Sequence, residues 1–119
     1  MRGVLLLSIC CLHGGLVGTA LAEPPAEQAI RFNDHIRPLL SAHCFACHGP
    51  DAASRKGDLR LDQRTGALAS GAIVPGNSTE SELIARITST DPDFQMPPPG
   101  TGKSLSGAEK QLLAKWIAD

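Results

Sequence analysis

The run His43-Cys44-Phe45-Ala46-Cys47-His48-Gly49-Pro50 carries the most specific chemistry in this chain. Two cysteines three positions apart sit almost one helical turn from each other, so both thiols can face the same edge of a planar ligand. His48 follows directly and projects an imidazole from the same backbone segment. Thiols placed to add to two vinyl groups, with an imidazole beside them for the iron, make C-x-x-C-H the attachment pattern of c-type haem. Cys44 and Cys47 are therefore expected to bind one covalent haem c, with His48 as the first axial ligand. Phe45 and Ala46 space the thiols, and Phe45 adds apolar cover.

Three plainer readings of the same residues compete. A Cys44–Cys47 disulfide would close so short a loop that it would restrain the unfolded chain little. A thioredoxin-like redox pair normally follows a strand in a βαβ setting, whereas the segment before Cys44 reads as helix. A zinc site needs four ligands, often from two knuckles, and only His35 and His43 are at hand to supplement this one.

Working outward, the chain has one methionine besides Met1, Met96, in the loop Phe94-Gln95-Met96-Pro97-Pro98-Pro99-Gly100. Pro97 biases Met96 toward extended geometry, and Pro98 and Pro99 stiffen the rest of the loop. Such a loop can present a thioether at a fixed place, and a Met opposite a His favours reduced iron. Met96 is expected as the second axial ligand; filling a core gap is the alternative role. His35 and His43 read as surface or packing residues. Arg55, Lys56, Arg60 and Arg64 could neutralise haem propionates but read better as solvated charge, with Asp51, Asp58 and Asp62 as local partners.

Three helices are expected. The first runs from about Asn33 or Pro38 to His43, with Ile36, Leu39 and Leu40 apolar and Pro38 suited to an early helical position, which leaves Phe32–Arg37 outside regular helix. Residues 51–71 show no sustained period and read as loop with short turns. After the turn Val74-Pro75-Gly76-Asn77, Thr79 with Glu82 reads as the capping box of a second helix with Leu83, Ile84 and Ile87 inward, ended by Asp91-Pro92. Ser106 with Glu109 opens a third, whose Leu112, Leu113, Trp116 and Ile117 share a face expected to pack on the first.

The chain of 119 residues suits a single domain. Three Phe, one Trp and no Tyr leave few rings for an all-protein aromatic core or for stacking on bases. A domain this small is often completed by a cofactor. Eleven basic and twelve acidic residues are interspersed without a basic stripe, which argues against a nucleic-acid partner. Residues 1–22 read as a signal peptide: Met1-Arg2-Gly3 gives the positive start, Val4 to Leu12 the apolar stretch and Ala20-Leu21-Ala22 the cleavage pattern. His13 and four glycines make it a poor membrane span, which takes about 20 apolar residues. Cys10 and Cys11 fall in this segment; Ile9 stands where a lipoprotein acceptor would need a small residue. Residues 23–31 read as a flexible leader and 32–119 as the domain, exported to the periplasm or another extracytoplasmic space, with no membrane span after cleavage.

Together, Asp34-His35-Ile36-Arg37-Pro38-Leu39-Leu40, Cys44-Phe45-Ala46-Cys47-His48-Gly49, Gly57-Asp58-Leu59-Arg60-Leu61-Asp62, Val74-Pro75-Gly76, Asp91-Pro92, Met96-Pro97-Pro98 and Trp116-Ile117 resemble the planctomycete-type cytochrome c domains, small modules of the class I cytochrome c fold. The resemblance spans Phe32 to Ile117. It implies a compact all-α fold with first and last helices crossing, His48 and Met96 on opposite sides of one haem, and an exported location. Domains of this family typically stand within longer proteins, so the chain reads either as a stand-alone monomer or as a module of a larger redox protein. The expected function is one-electron transfer between redox protein partners, without catalysis by the domain itself. The alternative is a haem-based ligand sensor or peroxidatic domain with an open distal site.

Overall fold

The computed structural model describes residues 28–119. The signal segment 1–22 and most of the leader expected at 23–31 lie outside the described residues. Among the described residues all regular structure is helical: α1 (Arg37–His43), α2 (Phe45–His48), α3 (Arg64–Ala69), α4 (Glu82–Thr88) and α5 (Gly107–Ala118). The all-α expectation holds, with five short helices where three were expected.

A π-helical turn, Phe32–Ile36, leads into α1, and Pro38 occupies the first turn of that helix, where its missing N–H leaves no bond unmade. This agrees with the reading of Phe32–Ile36 as outside regular α-helix, whereas Arg37, expected outside as well, is the first residue of α1. Ile36 and Leu40 are fully buried, and Ile30 packs against the same core just before the π-helical turn. One added helix, α2, is the Cys-His run itself. It follows α1 through Cys44, whose N–H donates to the Leu40 carbonyl.

The other, α3, corrects the reading of residues 51–71 as loop. It is only six residues long, lacks a side-chain cap and contains Gly66, so it offers neither period nor start signal. Tertiary packing dictates it: Ala67 is buried in the core, and a Cβ on Gly66 would stand 2.7 Å from Arg60 Cβ. Glycine permits this close approach of the 60s loop.

Helix α4 forms where expected, with Leu83 and Ile87 buried and Ile84 packed beside them. The Thr79–Glu82 capping box does not form. Asn77 instead caps a 3-10 turn, Ser78–Glu80, and the Thr79 hydroxyl donates to Asn77 Oδ1 at 2.8 Å. Ser81 occupies the cap position of α4 without a capping bond, because its buried hydroxyl accepts from Val74 N–H and donates to the Asn77 carbonyl. The first N–H groups of α4 are satisfied by the chain before it: Glu82 donates to Gly71 O and Leu83 to Ala72 O. A close approach of residues 71–72 thus replaces the capping box.

Helix α5 opens with the expected capping box, Ser106 and Glu109 satisfying each other's backbone N–H groups. Leu113 and Ile117 are buried, with Leu112 and Trp116 packed against the core. The helix lies against α4 and against the π-helical turn before α1, where the Phe32 and Trp116 rings stand 5.6 Å apart. The expectation was packing on the first helix; α5 meets instead the π-helical turn that leads into it. The Gly76 N–H donates to Ile117 O at 2.8 Å, fastening the Val-Pro-Gly turn to the end of α5.

Candidate haem site

Helix α2 exists because Cys44 ends α1 with a bend and Gly49 then stops the chain after one turn. Cys47 and His48 both donate backbone N–H to the Cys44 carbonyl. A Cβ on Gly49 would lie 2.2 Å from the Phe45 carbonyl oxygen, so only glycine allows the chain to leave α2 this closely. The segment after it folds back onto the helix: Lys56 N–H donates to Cys47 O at 2.7 Å and Leu61 N–H to His48 O at 2.8 Å. Arg55 completes the lacing through the Gly49 and Pro50 carbonyls.

Cys44, Cys47 and His48 line one cavity of about 480 Å³, and Met96 and Pro97 line it as well. Cofactor pockets commonly measure about 300–1,000 Å³ and are mainly apolar. Leu59, Leu61, Leu83 and Ile87 supply apolar wall here. The structure therefore brings all four sequence-expected site residues to one place.

The His48 imidazole is oriented from behind, its Nδ1 lying 3.1 Å from the Lys56 carbonyl oxygen. An Nδ1–H donated there leaves Nε2 as the free lone pair, which is how metal-ligating histidines are usually held. Burial pushes the His48 pKa down, the Lys56 carbonyl partly opposes this, and the nearby Arg86 charge adds to the lowering. The neutral ring is the form that binds iron.

The Cys44 thiol is pushed up to about 11 by burial, with Lys103 partly opposing. A thiol so hard to ionise is the opposite of a reactive redox cysteine, whose pKa is lowered by its surroundings. Both cysteines are free thiols. Among the described residues no three His, Cys, Asp or Glu side chains gather as a metal-binding group. His35 is occupied elsewhere, accepting from Arg31 N–H. The raised Cys44 pKa speaks against a reactive redox pair, and the largely apolar cavity fits a bulky cofactor.

Several residues at the site were not singled out from the sequence. Glu82, Arg86 and Lys103 line the cavity, and the Lys103 ammonium donates to the Ala42 carbonyl at the end of α1. Nothing in the local sequence of Arg86 and Lys103 distinguishes them from surface charge, and Glu82 reads there only as a capping residue. His43 also lines the cavity; its Nδ1 is buried without a partner and its Nε2 lies 3.7 Å from Glu109. That agrees with its reading as a packing residue and adds a polar atom to the site.

Of the charges expected to be solvated, Arg64 is exposed, but Arg60 makes a two-pronged pair with Asp62 and Lys56 lines the cavity. Asp58 stands 3.8 Å from Arg55, whereas Asp51 turns to Ser54 and the Ala53 N–H.

Comparison with curated proteins and with solved structures yields no match. Residues 44–100, from the Cys-His run through the Met96 loop, match the family described as Planctomycete cytochrome C. This family implies haem binding and redox function, in keeping with a paired thiol, an oriented imidazole and a thioether around one cavity. Over residues 44–100 the chain is similar to the planctomycete-type cytochrome c domains.

Proposed function

We propose that this is an exported electron-carrying domain that holds one haem covalently through Cys44 and Cys47, with His48 and Met96 as axial ligands. The convergence of these four residues on a single cavity carries the reading. The haem, when bound, supplies an iron that cycles between ferric and ferrous states. Cys44 and Cys47 fix its edge. His48, held by the Lys56 carbonyl, offers a neutral imidazole, and Met96 closes the other axial position with a soft ligand that favours the reduced state.

The apolar walls keep water from the metal, and such burial also tunes the potential. With both axial positions filled by protein, no substrate binds at the metal, and the reaction partners are a protein donor and a protein acceptor. Export rests on the apolar run Val4–Leu12 and the Ala20-Leu21-Ala22 pattern. No helix among the described residues is long and apolar enough to cross a membrane.

Met96→Ala separates this reading from a ligand-sensing or peroxidatic one. The ferrous wild-type protein is expected to bind carbon monoxide slowly, because Met96 must first leave, and the variant rapidly. Equally fast binding by both proteins would contradict electron carriage through a closed iron and favour an open distal site.

A further inference from the structure

We propose that Arg86 is the positioning residue of the methionine loop: its guanidinium clamps Phe94, and its backbone carbonyl holds Met96, so that the thioether stays over the cavity. This rests on the assignment of Met96 as an axial ligand.

Arg86 lies in the last turn of α4, and its carbonyl takes the Ser89 N–H that caps the helix at 3.3 Å. The same carbonyl also accepts the Met96 N–H at 3.1 Å. Its guanidinium donates through Nη1 to the Phe94 carbonyl at 3.3 Å and stands 4.3 Å above the centre of the Phe94 ring. Glu82, one turn back, accepts from Nε at 2.8 Å and fixes the guanidinium plane. One residue thus grips the loop on both sides of Gln95.

The rest of the loop has no other such anchor. Phe94 and Gln95 N–H groups both turn to the Asp91 carbonyl, Asp93 N–H to the Asp91 carboxylate and Asp91 N–H to Ser89. Among the described residues, every hydrogen bond that leaves the segment 89–96 ends on Arg86. Arg86 and Glu82 also line the cavity, so a loop released from them would shift at the position where the thioether must meet the metal. An Arg-to-aromatic contact backed by a carboxylate suits this task, because the planar guanidinium stacks and donates at once.

The test uses the full chain matured with haem. It reads the sulfur-to-iron band of the oxidised protein and the dissociation constant of imidazole for the oxidised iron, both well below the melting temperature. Arg86→Leu is expected to weaken the band and to lower the imidazole dissociation constant by about tenfold, the size of one lost charge-assisted hydrogen bond. Phe94→Leu, which keeps the carbonyl but removes the ring, should lower it about threefold. Arg86→Lys should restore part of the loss by returning the cation. A residue with a merely structural role would lower the melting temperature and leave imidazole affinity alone.

A wild-type band with an Arg86→Leu dissociation constant within about twofold of wild type would overturn the proposal and leave Met96 ligation standing, since smaller changes fall below one exposed contact. If the wild-type protein shows no sulfur-to-iron band, the Met96 assignment fails and this proposal with it. Should Arg86→Leu not mature with haem, Arg86→Lys and Phe94→Leu decide, and unchanged imidazole affinity in both would overturn it.

Discussion

The carbonyl that orients His48 belongs to Lys56, whose own N–H is tied to Cys47, so the loop after the Cys-His run both shapes that run and readies its imidazole. The Arg60–Asp62 pair stiffens the far end of this loop, with Nε–Oδ1 at 2.7 Å. Hydrogen bonds from Arg60 hold the Asp62 carboxyl below its ordinary 3.8. A carboxyl lowered in the folded state contributes stability that is present above the unfolded value and lost as pH falls through the folded one. Asp62→Asn should therefore lower the melting temperature at pH 7, and the difference from wild type should shrink as the pH falls below the ordinary carboxyl value of 3.8. A difference that does not shrink however far the pH is lowered would show that the charge is not the cause.

Cys44, Cys47, His48 and Met96 were legible as residues because their types are rare and their spacing has a chemical meaning. Arg86 and Lys103 were not, because a cation's role depends on what the fold sets against it.

Two local start signals formed as read, while the third, the Thr79–Glu82 pair, did not. Pro38 in the first turn of α1 and the Ser106–Glu109 box of α5 are the two that formed, since each satisfies its own backbone groups within a few residues. Elements set by distant partners were missed or misplaced. Helix α3 has no cap and a central glycine, and α4 begins on carbonyls from Gly71 and Ala72 rather than on the Thr79–Glu82 pair.

Ser81 shows what replaces the cap. Its side chain is fully buried and bridges Val74 N–H to the Asn77 carbonyl, joining the Val-Pro-Gly turn to α4. Ser81→Ala would leave the Val74 N–H without its partner in a buried setting, a loss of about 1–3 kcal/mol. For a domain of this size that should lower the melting temperature by roughly 5 °C or more. Thr79→Ala should change it by far less, and equal effects of the two substitutions would contradict the assigned roles.

At the scale of the whole molecule, the helices pack around a core that leaves a large cavity at its Cys-His end. Ile36, Leu40, Leu113 and Ile117 close one side of the domain, while Leu61, Leu83 and Ile87 belong both to the core and to the cavity. The scarcity of aromatic rings in the sequence agrees with this: protein side chains alone do not complete the interior. The fold class and the four residues that meet at the cavity were legible in the sequence, whereas the number of helices and the ionic surroundings of the cavity arise only once distant segments meet.

Covalent haem attachment tests this account most directly. The chain would be expressed with its leading segment in a host that matures c-type cytochromes, alongside Cys44→Ser/Cys47→Ser, and each product denatured in alkaline pyridine and reduced. The wild-type polypeptide is expected to retain a c-type haemochrome through denaturation, and the double variant to release whatever haem it holds. A wild-type chain that carries no haem after denaturation, from a host that loads other c-type cytochromes, would contradict the assignment of Cys44 and Cys47.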